Sequence, residues 1–394
     1  MSNRRIKILH CVESYYPSKG GMQEVVKQLS ERLVKMGHDV TVATRKIQER
    51  DFVELNGVKI IDFNISGNLV SGITGETETY RNLLLSGRFD VITFFAAQQW
   101  ATDLALDILP QIPSIKVSVP TGYSGLYWSN YKDYYEKMKQ WIKHYDMNVY
   151  LSNDYRDINF ARANNITKLT IIPNGAAADE FEPDSVIDVR KQLDIPEKHK
   201  IVLLVGSYTG LKGHREAVEI MLRSSLKDVT LLMIGNDGDN FYRQYIKHPV
   251  LGLLFIINKI TRRKKIIFKS FTREFTVAAY KQADLFLFPS NIECSPVVLF
   301  ECAAAKLPFI SSDAGNAKEI AEWTRGGIVA GTFKDADGMS HVNIEECVKL
   351  TEALLKDEKQ RKQMGETAFK AWREKFSWEK ITQQYEQLYL SLVK

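Results

Sequence analysis

Short apolar runs alternate with stretches of helical periodicity along almost the whole chain, and the alternation is played out twice. Residues 6–12 form a strand-length apolar run, followed by a loop at Gly20–Gly21. Between residues 23 and 36, Val25, Val26, Leu29, Leu33 and Met36 recur at three- and four-residue spacing, which predicts a helix. Gly37 follows as its stop. Further strands are predicted at 39–43, 58–63, 91–95, 116–119, 147–151 and 168–172, before the turn Pro173-Asn174-Gly175.

A polar, proline-containing stretch over 179–200 reads as the join between two domains and as a hinge. The pattern then restarts. Strands are predicted at 201–206, 230–234, 265–269, 285–288 and 309–311, with helices near 215–225, 241–260, 274–282, 296–305 and 317–323. Residues 343–394 read as helical. Such alternation means parallel sheets with helices on both faces. The prediction is an α/β protein of two Rossmann-like β/α/β domains facing a cleft, divided as 1–180 and 181–379, with residues 380–394 as a terminal helix. Ligands in such sheets sit at the carboxyl ends of the strands.

Composition narrows the classes. The chain has 394 residues, 44% apolar and 26% charged, with 23 Gly and 11 Pro, which excludes collagen-like and low-complexity chains. A net charge of +5 does not call for nucleic acid. No apolar run approaches the length of a membrane span, and the first residues lack the apolar core of a signal peptide. Cys11, Cys294, Cys302 and Cys347 form no C-x-x-C pair, so free thiols in a reducing cytoplasm are expected. The seven histidines lack ligand spacing, so no metal is expected.

Candidate chemistry concentrates in the second half. Lys212-Gly213 lies six residues after Gly206, on a loop that opens a helix. Backbone N–H groups, the helix dipole and an ammonium there suit a diphosphate. Pro289 ends a strand, Glu293 follows in the loop, and Ser295-Pro296 reads as an N-cap with proline at the first helical position. Glu301 comes eight residues after Glu293, about one and a half turns into that helix. Two carboxylates flanking an anion-binding helix start suit a nucleotide sugar, one for the ribose and one for the hexose. Ser311 to Glu319 adds another glycine loop and helix start. In the first half, Gly20–Gly21 lets backbone approach a ligand but is not G-x-G-x-x-G, which disfavours a dehydrogenase.

These pieces, in this order, resemble the retaining glycosyltransferases of family 4, with the GT-B fold. The resemblance runs through Gly20-Gly21-Met22-Gln23, residues 37–42, residues 172–175, Gly206 to Gly213, residues 288–293 with Glu301, and Phe376-Ser377-Trp378. It implies transfer of a hexose from a nucleotide-diphosphate sugar to a saccharide or lipid-linked acceptor, in cell-surface polysaccharide or glycoconjugate synthesis, without a cofactor. It implies Glu293 on the donor sugar, Glu301 on the ribose, Lys212 on the diphosphate with the backbone of Ser295, Pro296, Val297 and Val298, and Gly20–Gly21 closing the donor site. It also implies that the helix after Trp378 returns to the first domain. Three positions depart. Ser207 stands where the family has an arginine, leaving Arg215 as a substitute. Thr121, followed by Gly122, Tyr123 and Ser124 on the acceptor side, stands where the family has a histidine. Lys306 replaces a common glycine. A sugar-nucleotide epimerase of the same fold and a non-catalytic nucleotide- or glycan-binding member remain open.

Two stretches stand apart. Residues 240–273 contain no acidic residue but nine basic ones, around the apolar run 250–257. The simpler reading is a helix with a buried face and a basic end; the other is a membrane-surface helix, giving peripheral contact with the inner membrane face. Trp128, Tyr131, Tyr134, Tyr135, Met138, Trp141 and Ile142 form an aromatic stripe read mostly as core.

Overall fold

A computed structural model describes residues 4–18, 20–236 and 249–393. It divides into two units, Met1–Asn174 with Trp378–Lys394, and Gly175–Ser377.

The first unit is built on an eight-stranded sheet. Its strands are β1 (Lys7–Cys11), β2 (Asp39–Arg45), β3 (Glu54–Leu55), β4 (Val58–Phe63), β7 (Val91–Phe95), β8 (Ile115–Val119), β9 (Met147–Tyr150) and β10 (Leu169–Ile171). Their order is β10-β9-β8-β7-β1-β2-β4-β3, parallel except at β3. The register places Ile8 of β1 beside Val40 of β2 and Val91 of β7. Every residue of β7 is buried, as expected of a strand covered on both faces. The hairpin of β5 (Ile65–Asn68) and β6 (Gly72–Gly75) is a finding, because its glycines and hydroxyl residues carry no apolar alternation.

The helix Gly21–Lys35 buries Val25, Val26, Leu29 and Leu33, the face its spacing predicts. Gly37 follows at φ +99°. The helix Trp378–Leu392 belongs to this unit and buries Trp378, Ile381, Tyr385 and Tyr389. Arg32 pairs with Glu379 at 2.8 Å, and the Tyr389 hydroxyl meets Thr93 Oγ1 at 2.7 Å.

The second unit carries a six-stranded parallel sheet. Its strands are β11 (Lys200–Val205), β12 (Val229–Ile234), β13 (Lys265–Lys269), β14 (Leu285–Phe288), β15 (Phe309–Ser311) and β16 (Gly327–Val329). The order is β13-β12-β11-β14-β15-β16. The stretch 179–200 is not a free join. Phe181, Val189, Leu193 and Ile195 lie in this unit's core, and Asp188 caps a short helix there by accepting from the Lys191 N–H at 2.9 Å. Its polar residues had masked those four apolar anchors. The chain instead passes between units at Asn174–Gly175 and Ser377–Trp378.

The aromatic stripe is core where Tyr131, Tyr134, Tyr135, Met138 and Ile142 are concerned. Part of the predicted 241–260 helix, residues 241–248, lies outside the described residues; the remainder is the helix Pro249–Thr261. Among the described residues, no helix is long and apolar enough to cross a membrane.

Candidate functional site

The second sheet reverses direction beside β11. The chain leaves β11 toward β12 and β13, then crosses back to β14 on the other side. A crevice at the carboxyl ends of such neighbouring strands is where open α/β sheets bind ligands. Three loops gather there, after β11, β14 and β15, and glycines let them close up. Gly213, at φ +71°, is the cap of the helix His214–Arg223; a Cβ on it would sit 2.2 Å from the Pro289 carbonyl oxygen. Gly315, at φ +62°, would place a Cβ 2.4 Å from the Cys294 carbonyl oxygen. Side chains are excluded at both positions by backbone conformation and by space.

That packing brings Lys212 to Glu293. The Lys212 ammonium donates to Glu293 Oε1 at 2.7 Å, and the Ser290 hydroxyl donates to the same oxygen at 2.8 Å. The pair is partly open, with side chains 27% and 11% exposed. Beneath it, His214 is buried and donates from Nε2 to the Gly206 carbonyl at 3.2 Å. Burial holds its imidazole down to about 4, so it braces the glycine loop as a neutral ring. The Tyr208 ring lies on it at 4.6 Å, and the Tyr208 hydroxyl donates to the Met233 carbonyl.

Glu301 is placed differently. It lies on the helix Val297–Ala304, buried at 3% exposure, with Oε1 2.6 Å from Arg273 Nη2. Arg273 also pairs with Glu180 at 2.6 Å. Tyr280 lies beside this group, and burial first, then the Glu301 charge, pushes its phenol well above the usual range. Glu301, expected on the ribose, thus has one carboxylate oxygen already engaged by an arginine. Arg273, Glu180 and Ser290 escaped the sequence reading. Arg273 counted only as one of a basic run, and nothing in spacing joins it to Glu180, 93 residues away.

The helix start also differs from the expected cap. Pro296 occupies the N-cap in extended conformation without a side-chain cap bond, and Val297 is the first helical residue. Ser295 thus lies before the cap. The first N–H groups of any helix, here beginning at Val297 and Val298, have no partner within it. Ser207 carries no cation after Gly206, and Arg215 is exposed in the first turn of its helix. Lys306 adopts φ +56°, the backbone that makes glycine common there, and its ammonium pairs with Glu366 at 2.8 Å. Among the described residues, no three His, Cys, Asp or Glu side chains converge as metal ligands.

In the first unit, Gly20 and Gly21 stand at the start of the Gly21–Lys35 helix. The loops after β7 and β8 hold three non-glycine residues with positive φ: Ala96 (+62°), Gln98 (+65°) and Thr121 (+56°). For a β-branched threonine this is strained backbone, which surrounding structure must hold in place. Gly122 follows, and its N–H donates to Asp157 Oδ2 at 2.8 Å. Asp157 is buried, and desolvation lifts its carboxyl to about 6 against three backbone hydrogen bonds. Ser124 donates to Gln98 Oε1 at 3.2 Å. Tyr123, an expected acceptor contact, is instead core: 2% exposed, with its ring edge-on to Tyr135 and Phe160. The two positive-φ residues before it, Thr121 and Gly122, turn the chain after β8, and the ring packs inward against Tyr135 and Phe160.

Comparison with known proteins agrees with this architecture. Residues 186–371 match the model "Glycosyl transferases group 1", and residues 19–180 match "Glycosyltransferase Family 4". An uncharacterized glycosyltransferase of Methanocaldococcus jannaschii is 24% identical over 395 residues, covering 95% of each chain. Among solved structures, sucrose-phosphate synthase from Thermosynechococcus elongatus superposes with a TM-score of 0.77 at 20% identity, covering 99% of both chains. The Anabaena protein HepE, solved in complex with UDP-glucose, superposes with a TM-score of 0.73 at 13% identity, covering 98% of this chain and all of that one. The two family matches fall on the two units in turn, and with them the chain belongs to the group 1 glycosyltransferases, of the family 4 type, with the GT-B fold.

Proposed function

We propose that this glycosyltransferase moves a hexose from a nucleoside-diphosphate sugar to a saccharide or lipid-linked acceptor, with retention of anomeric configuration and without a metal. Such a reaction suits cell-surface polysaccharide or glycoconjugate synthesis. The observation that carries the reading is the Lys212–Glu293 pair at the switch point of the second sheet. A diphosphate entering there competes with Glu293 for the lysine. Once the ammonium turns to phosphate, assisted by the N–H groups at Val297 and Val298, Glu293 is released toward the hexose. Glu301, fixed by Arg273, offers its carboxylate to the ribose.

The chemical step breaks the bond between the anomeric carbon and the phosphate oxygen and forms one to the acceptor oxygen on the same face. The acceptor proton goes to the departing phosphate oxygen, so no protein base is needed. Positive charge grows on the sugar as the bond breaks, and the Glu293 carboxylate stabilises it. Thr121, Gly122 and Ser124 belong to the acceptor side in this reading, and Gly20–Gly21 to donor closure.

A thermal-shift panel of uridine, guanosine, adenosine and thymidine diphosphates tests the donor site, since a ligand that binds only the folded state raises its melting temperature. UDP is the first choice, because HepE was solved with UDP-glucose. One diphosphate should stand out, and Lys212→Met should abolish its shift; no shift with any of the four refutes the site. Product anomer by NMR tests retention. Full activity in EDTA tests metal independence, and activity lost in EDTA and restored by magnesium overturns it. A non-catalytic reading is motivated by Ser207 and Thr121; binding of donor with no turnover over many hours would favour it.

A further inference from the structure

The helix Pro249–Thr261 is set on the second unit with its apolar side outward. Leu253, Ile256, Ile257 and Ile260 are 60%, 55%, 44% and 73% exposed. Their spacing of three, four and seven residues puts them on one continuous face. Asn258, the polar residue among them, is buried instead. A helix that turns its polar residue to the protein and its branched aliphatics to solvent keeps that face for something else. This reverses the simpler sequence expectation of a buried apolar face.

Charge identifies the occupant. No acidic residue occurs from Pro249 to Lys269, while Lys259, Arg262, Arg263, Lys264, Lys265 and Lys269 do. Several of these are occupied within the protein. Lys264 is buried and donates to the Ser224 carbonyl at 2.8 Å, Lys265 donates to the Leu193 carbonyl, and Arg263 pairs with Asp228. Lys259 and Lys269 are exposed, Lys259 directly flanking the Ile256–Ile260 stripe. A second copy of the chain would set this basic rim against itself. An anionic lipid surface satisfies both features, taking the aliphatic side chains at the acyl boundary and the ammonium groups at the headgroups. The helix is 13 residues, roughly 20 Å, which suits lying in the interface and is too short to span.

We infer that the Pro249–Thr261 helix docks the protein on anionic lipid through Leu253, Ile256, Ile257 and Ile260, with Lys259 at the headgroups. This stands apart from the donor chemistry, since it needs no nucleotide. The test is flotation of the full chain with vesicles of phosphatidylcholine plus phosphatidylglycerol, and with phosphatidylcholine alone, without donor. The chain should float only with the anionic vesicles, and less as salt is raised. Ile256→Asp with Ile260→Asp should cut the bound fraction by about tenfold or more, and Lys259→Glu by about fivefold. Both variants should keep the parent's melting temperature and its nucleotide-induced shift. No flotation with anionic vesicles, or flotation unchanged by the Ile256/Ile260 double variant, overturns the proposal. So does a dimer, seen by light scattering, that the double variant dissolves while vesicles bind neither form.

Discussion

Glu293 and Glu301 are the same residue type, eight positions apart, beside one helix start, yet the protein holds them in opposite ways. Glu293 is partly open and held by a lysine, whose flexible stem can swing its point charge to another anion. Glu301 is buried and held by Arg273, which is itself fixed by Glu180. The first arrangement is a partly open contact to a flexible cation, and the second is a buried bridge. Sequence spacing alone does not separate the two glutamates, whereas burial and the identity of the cation set a partly open carboxylate held by a lysine apart from a buried one fixed by an arginine.

The largest effect should fall on Glu293. Glu293→Gln should lower kcat on the order of 100-fold or more, because its carboxylate counts most when charge develops on the sugar. Donor binding and melting temperature should change little, and normal turnover by this variant would end the assignment. Next, Lys212→Met should raise the donor KM roughly 10- to 100-fold, the scale of a hydrogen bond to a charged group. An unchanged KM would mean that the ion pair is static after all.

Glu301→Gln separates the two sites most sharply. It keeps volume but removes the charge opposite Arg273, so it should cost about 1–3 kcal/mol of stability. It should also raise the donor KM about tenfold with a smaller effect on kcat, as expected for uniform binding. Calorimetry that finds Glu301→Gln as stable as the parent would erase the contrast with Glu293.

The smallest effect concerns the turn after β8, where Gly122 donates to Asp157. The folded carboxyl of Asp157 titrates at about 6, above its ordinary 3.8, so between those values the folded state holds a proton that the unfolded chain has released. Its contribution to stability is complete below about pH 4, falls as pH rises toward 6, and is level beyond. Asp103, also lifted to about 6 by burial, adds to the same window. Asp157→Asn should flatten this decline in part, leaving the share of Asp103, as followed by denaturant melts across pH. An unaltered slope would remove Asp157 as its source.

Residues 91–95 and 285–288 were legible because parallel strands buried on both faces read as unbroken apolar runs, and 58–63 and 265–269, with charged residues among their apolar ones, also match their strands to the residue. The β5–β6 hairpin and β16 were not, being short and glycine-bearing. At the site, Lys212-Gly213 and Glu293 were legible because loop glycines and strand ends punctuate the chain locally. The Arg273–Glu180 bridge was not, since it joins residues that only the fold brings together. The Pro249–Thr261 helix shows a different limit. Periodicity reveals that a helix has an apolar face, but not whether that face turns inward.

The helix Trp378–Leu392 has a consequence for how the protein is made. It completes the core of the first unit, yet the ribosome delivers it only after all of Gly175–Ser377. The second unit can therefore fold as soon as it emerges, while the first waits with the surface meant for Tyr385 and Tyr389 uncovered. A stop codon ahead of Trp378 would leave the later-made unit whole and cripple the earlier-made one.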